Sequence, residues 1–257
     1  MTTSAPPTDD TPRDVALVTG GSGGIGAATC RALAAAGRTV AIGYGGNRDA
    51  AEKLAAELNE GAGSEDVAVA VHLDVTDEDG VAAAVARATE LGTLTTVVNN
   101  AGIADDDLLL RLDPARFDRT IEVNLRGAYL VSRAALRPML RSRRGRIINI
   151  ASIVALRGNA GQSAYAASKA GLIGMTKSLA REVARKGVTV NVVAPGFVAT
   201  AMTDGLPDAA QTALRDLAPT GRAVEADEVA AAVAFLASPA AGSITGAVLP
   251  VDGGAAI

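Results

Sequence analysis

The sequence predicts one doubly wound α/β domain, a parallel seven-stranded sheet with helices on both faces. Three observations carry that reading. Short apolar runs rich in β-branched residues alternate with alanine-rich helical segments from end to end. A glycine-rich turn joins the first apolar run to the first helix. No compositional shift and no fixed-period repeat divides the chain. Strands separated by helices form βαβ units, whose strands lie parallel and are covered on both faces.

The elements follow in order. The first 13 residues, MTTSAPPTDDTPR, are polar and rich in Pro and Thr. They predict a disordered tail rather than a signal peptide, leaving 14–257 as the folded domain. Strands are expected near V-A-L-V-T (15–19), T-V-A-I-G (39–43), V-A-V-A-V-H-L (67–73) and T-T-V-V-N (95–99). Three more follow near R-I-I-N-I (146–150), V-T-V-N-V-V (188–193) and A-V-L-P-V (247–251). Helical stretches such as A-A-T-C-R-A-L-A-A-A and V-A-A-A-V-A-R-A-T-E lie between them. From Phe197 to about Gly221 neither periodicity holds, and Gly196, Gly205, Pro207, Pro219 and Gly221 break the chain. A loop this long after a strand emerges at the carboxyl edge of the sheet, where it is expected to form a lid over a ligand.

Composition narrows the function. The chain has 257 residues, 49% hydrophobic and 20% charged, with a formal charge of −4. That balance argues against a protein built to grip nucleic-acid phosphates. No apolar run is long enough to span a membrane, so a cytoplasmic protein is expected. Cys30 is the only cysteine and falls in a helical stretch, as a small buried side chain would. His72 is the only histidine, which excludes a multi-histidine metal site; it is expected at a strand end without a catalytic role. No metal is expected.

The turn after the first strand reads T-G-G-S-G-G-I-G, with Gly20, Gly21, Ser22, Gly23, Gly24, Ile25 and Gly26 running into a helix. Bare backbone there can approach a pyrophosphate, and a helix N-terminus favours negative charge. The spacing is G-x-x-x-G-x-G, and the G-K-[ST] ending of an ATPase phosphate loop is missing. An acid at the end of the second strand would accept the 2′-hydroxyl of NAD and repel the 2′-phosphate of NADP. Here Gly43 stands at that place, with Asn47 and Arg48 following, so NADP is the expected cofactor. Gly23 stands where a basic residue would strengthen the preference.

The stretch Y-A-A-S-K places Tyr165 and Lys169 four residues apart on one helix face. A free phenol has a pKa of roughly 10, and a neighbouring ammonium lowers it, as acid–base catalysis needs.

These motifs stand in one order with L-D-V (73–75), N-N-A-G (99–102), Asn124 in E-V-N-L, Ser152 and N-V-V-A-P-G-F (191–197). In that combination the chain resembles the short-chain dehydrogenase/reductases over nearly its whole length after the tail. Within them it is most similar to bacterial 3-oxoacyl-[acyl-carrier-protein] reductases. The resemblance implies a tetrad of Asn124, Ser152, Tyr165 and Lys169. Tyr165 would protonate a carbonyl oxygen as hydride arrives, and Ser152 would hold that oxygen. Lys169 would lower the tyrosine pKa and bind ribose hydroxyls, and Asn124 would position a water in the relay. Cofactor contacts are implied at the glycine loop, Asp74, Val75, Asn100, Val198 and Thr200, while Asn99 and Gly102 are expected to hold the central turn. Arg143 and Lys186 fall where such reductases dock an acidic carrier protein, although helix-end charges also suit the helix dipole. The resemblance also implies a homo-oligomer, usually a tetramer and sometimes a dimer.

Two rival readings remain at this point. One is a relative that reduces acetoacetyl-CoA, a polyketide or another ketone or secondary alcohol. The other is a non-catalytic nucleotide sensor on the same fold, for which an intact tetrad has no use.

Overall fold

The computed structural model describes residues 13–64, 67–199 and 217–257. The predicted tail, apart from Arg13, and Thr200 with most of the predicted lid lie outside the described residues.

Seven strands form one parallel sheet: β1 (Asp14–Val18), β2 (Thr39–Tyr44), β3 (Ala68–His72), β4 (Thr93–Asn99), β5 (Gly145–Ile150), β6 (Val188–Pro195) and β7 (Val248–Val251). Their spatial order is β3-β2-β1-β4-β5-β6-β7. The winding direction reverses between β1 and β4, so a crevice opens beyond their carboxyl ends. Register is set by apolar matching, as in Val18 opposite Ile42 on β2 and Val98 on β4. Every residue of β6 is buried, as a central strand covered on both faces requires.

Helices α1 (Gly24–Ala35) and α2 (Arg48–Ala62) cover one face together with α8 (Ala226–Ala237). Their Leu33, Leu54, Val229, Val233 and Leu236 pack on Val18, Val40, Ile42 and Ile148. On the other face lie α3 (Glu78–Glu90), α5 (Gly127–Ser142) and α7 (Ser163–Val183). There Val81, Val85, Val131, Met139 and Val183 meet Leu17, Val97, Ile147 and Val190. Two short helices, α4 (Pro114–Ile121) and α6 (Val154–Arg157), flank the carboxyl edge.

The helix ends are legible in local chemistry. Asn47, Asp77 and Asp113 cap α2, α3 and α4 by accepting backbone N–H groups. Pro114 takes the first turn of α4, and Gly63 ends α2 at φ 62°. Cys30 is buried as expected, its thiol directed to the Gly21 carbonyl, and burial pushes its pKa up to about 12. Among the described residues no helix is long and apolar enough to cross a membrane.

Candidate active site

The glycine loop leaves β1 at the crevice and turns into α1. It is tied to both neighbouring strands: Gly21 N–H donates to the Gly43 carbonyl on β2 at 2.8 Å, and Thr19 N–H donates to the Val98 carbonyl at 3.0 Å. Gly20 adopts φ 60°. A Cβ at Gly26 would lie 2.1 Å from the Gly20 carbonyl oxygen, so the loop closes only with a bare backbone there. No side chain caps α1, and its first N–H groups face the crevice as a ready anion site. Asn100 braces the loop from β4, its amide donating to the carbonyls of Thr19 and Gly20 at 3.0 and 2.9 Å.

The tetrad assembles from four segments. Ser152 follows β5, and its hydroxyl accepts the Val154 N–H at 3.2 Å. Tyr165 and Lys169 sit on the first turns of α7, facing the same strand end. Lys169 is 3% exposed and donates to the Ile150 carbonyl at 2.8 Å. Its Nζ stands 5.6 Å from the Tyr165 ring centre. Asn124 lies in a π-helical turn, Glu122–Arg126, between α4 and α5. The wide turn aims its amide inward, where it accepts Ile103 N–H at 2.8 Å and donates to the Ile103 carbonyl at 2.9 Å and to Ser168 Oγ at 3.1 Å. At Gly102, expected to have a structural duty, a Cβ would lie 3.1 Å from Asn124 Oδ1 and 3.3 Å from Lys169 Nζ. Asn124 and Lys169 therefore meet across a backbone kept free of side chains.

The electrostatics differ from the sequence expectation in one respect. Tyr165 is held above the usual tyrosine pKa by burial, which outweighs the lowering hydrogen bond with Ser152, and the Asp106 charge raises it further. The Lys169 ammonium points at the Ile150 carbonyl and does not bring the phenol down. Burial instead lowers Lys169 itself to about 8. The tyrosine is thus a protonated acid in the resting site.

A continuous cavity of about 890 Å³ runs from Gly20, Gly23 and Ile25 past Asn100 to Ser152, Tyr165, Lys169 and Val198. Val198 is buried and bridges to Val224. The sequence reading missed several residues on the other rim. Gln162 donates to Asp106 at 2.7 Å and accepts from Asn159 at 2.9 Å, joining the loops before α4 and α7. Their only sequence signals are the acidic run D-D-D at 105–107 and the Gln shortly before Tyr165.

Other expected contacts lie outside this cavity. Asp74 is held by Thr76 N–H and Oγ1 at 2.9 and 2.8 Å, which lowers its pKa, and Val75 is buried beside it. Asn47 caps α2, and Arg48 pairs with Glu52 at 2.7 Å. Asn99 donates to Asn149 at 2.7 Å and Ser132 at 3.0 Å, a buried tie across the central strands consistent with its expected structural duty. Arg143 and Lys186 lie at the other end of the sheet, before β5 and β6. Arg143 has φ 53°, the one described non-glycine residue in the left-handed region.

A glycine cradle at a sheet's switch point, opening onto a Ser–Tyr–Lys–Asn cluster, defines a nucleotide-dependent oxidoreductase. A family model described as Enoyl-(Acyl carrier protein) reductase matches residues 20–256, and the chain belongs to the short-chain dehydrogenase/reductase family. Over 245 residues it is 47% identical to a 3-oxoacyl-[acyl-carrier-protein] reductase of Pseudomonas aeruginosa, covering 93% of this chain and 96% of that protein. It is 46% identical over 242 residues to the 3-oxoacyl-[acyl-carrier-protein] reductase of Escherichia coli (strain K12), with 93% and 96% covered. It is 45% identical over 243 residues to Nodulation protein G of Rhizobium sp. (strain N33), with 94% and 96% covered.

The cradle makes one prediction directly. Gly26→Ala drives a methyl into the Gly20 carbonyl, an overpacking of about 1–3 kcal/mol. Nicotinamide-nucleotide affinity, read by fluorescence titration, should fall about tenfold or more while the thermal transition stays cooperative. Unchanged affinity would show that the loop does not carry the pyrophosphate.

Proposed function

We infer that this protein is an NADPH-dependent 3-oxoacyl-[acyl-carrier-protein] reductase of fatty-acid synthesis. The observation that carries the reading is the cavity joining the glycine cradle to Ser152, Tyr165 and Lys169. NADPH supplies the hydride to C3 of the 3-oxoacyl thioester. Ser152 donates a hydrogen bond to the carbonyl oxygen as negative charge develops there. Tyr165, hydrogen-bonded with Ser152, delivers its proton to the same oxygen. The phenolate left behind is stabilised by the Lys169 ammonium, whose effect belongs to this stage rather than to the resting tyrosine. Lys169 binds the nicotinamide ribose hydroxyls, and Asn124 positions the water that refills the relay. Asp74, Val75, Asn100, Val198 and Thr200 complete the cofactor contacts. The protein works in the cytoplasm as a homotetramer.

The carrier docks on Arg143 and Lys186. Arg143 precedes β5 and Ser152 follows it, so an extended strand at about 3.3 Å per residue puts them about 30 Å apart. A carrier on this edge therefore serves the cleft of an adjacent subunit. Keeping arginine in a left-handed turn where glycine is usual supports a role for its charge. The double change Arg143→Glu, Lys186→Glu should raise KM for carrier-bound substrate several-fold and leave a small thioester analogue nearly unaffected. The effect should fade with salt, since exposed charges are screened over about 8 Å at physiological ionic strength. Equal effects on both substrates would indicate general damage and defeat the docking assignment.

A further inference from the structure

At the carboxyl ends of β2 and β3 the one histidine of the chain stands against a tyrosine, outside the cavity of the tetrad. Tyr44 and His72 are partners in the strand register, and their rings meet edge to face with centroids 5.5 Å apart. His72 is exposed. This corner adjoins the glycine loop, because Gly21 is hydrogen-bonded to Gly43, the residue before Tyr44. A dinucleotide with its pyrophosphate on the N-terminus of α1 sets its adenosine ribose over the end of β2.

The ordinary sources of positive charge for a 2′-phosphate are missing or engaged there. Gly23 has no side chain. Gly43 cannot take one, since a Cβ would lie 2.9 Å from both the Val18 carbonyl and Leu73. Arg48 is held by Glu52. His72 remains as a basic side chain at the strand ends, set by its contact with Tyr44.

We propose that His72, set by Tyr44, recognises the adenosine 2′-phosphate of NADPH and makes cofactor choice dependent on pH. The inference rests on the NADPH reading above. The charged and titratable groups at this corner are Tyr44 from β2 and Asp74 beyond β3, with Arg119 of α4 in range of Asp74, and Arg48 and Glu52 of α2 beside Tyr44. Asp74 lies within electrostatic range of His72. A phosphate monoester gains its second charge near pH 6, about where imidazole loses its own at about 6.5. The two trends oppose each other, so the pH profile of the wild type alone does not isolate the imidazole. Comparison with His72→Gln does.

NADPH and NADH dissociation constants would be measured by fluorescence titration for both proteins at about pH 6 and about pH 8.5, either side of the imidazole pKa. Wild type should bind NADPH about fivefold more tightly than His72→Gln at the lower pH, the scale of an exposed ion pair. The difference should vanish at the higher pH, and NADH should bind both proteins alike at either pH. Equal NADPH affinity of the two proteins at the lower pH would overturn the proposal, as would parallel loss of NADH and NADPH. Wild-type protein binding NADPH no more tightly than NADH would instead overturn the cofactor reading beneath it.

Discussion

Tyr165→Phe should lower kcat by at least about 100-fold, the usual scale of general acid catalysis. The ring stays and only the hydroxyl goes, so the cavity wall and the contact with Lys169 keep their shape. No other group in the cluster can replace the lost proton. Ser152 is far too weak an acid, and Lys169 is engaged with the Ile150 carbonyl. Nucleotide affinity should change little, because the cradle is remote from the hydroxyl. Steady-state kinetics together with a cofactor titration check both halves. Near-normal turnover would remove Tyr165 from the mechanism.

Lys169→Met should produce an effect of similar size on kcat and an unusual one on stability. The ammonium is buried and its pKa falls from 10.5 to about 8 in the folded protein. Below about pH 8 the lysine is charged in both states, and the folded protein bears the whole cost of burying that charge. Between the two values the unfolded chain holds more protons than the folded one, so stability rises with pH. At about 1.4 kcal/mol per pH unit, the gain approaches about 3 kcal/mol by the unfolded pKa. Methionine keeps the length of the stem and removes the charge, so this rise should be absent from the variant. Freeing the Ile150 carbonyl costs about 1–3 kcal/mol at every pH, which shifts the variant's curve without changing its slope. Denaturant midpoints of both proteins between about pH 7 and 10 measure the difference; parallel curves would mean that Lys169 is not buried as a charge.

Much of this architecture was legible because it is written locally. β-Branched runs mark all seven strands within a residue or two. The Tyr165–Lys169 spacing and the glycine turn work the same way, since one element carries each of them. What the sequence could not carry are relations between distant segments. Gln162 meets Asp106 only because two loops converge on one rim of the cavity. Arg143 and Lys186 close separate helices, and only the sheet shows that both lie at the edge away from the tetrad. The resting pKa of Tyr165 depends on burial and on the direction of one ammonium, neither visible in a spacing rule. Gly43 shows the same limit. It reads as a missing acid, but the packed backbone of β1 leaves no room for any side chain, so the bare strand end does not by itself report which cofactor is chosen.

The reading as a whole rests on what is reduced and by what. The most direct measurement is NADPH oxidation with a 3-oxoacyl thioester on acyl carrier protein, run beside the same acyl group on CoA, an enoyl thioester on the carrier, and a simple ketone. The 3-oxoacyl carrier substrate with NADPH should give the highest kcat/KM, with the 3-hydroxyacyl thioester as product and NADH markedly poorer. Turnover confined to the enoyl thioester, the CoA thioester or the ketone, or none with any of them, would contradict it.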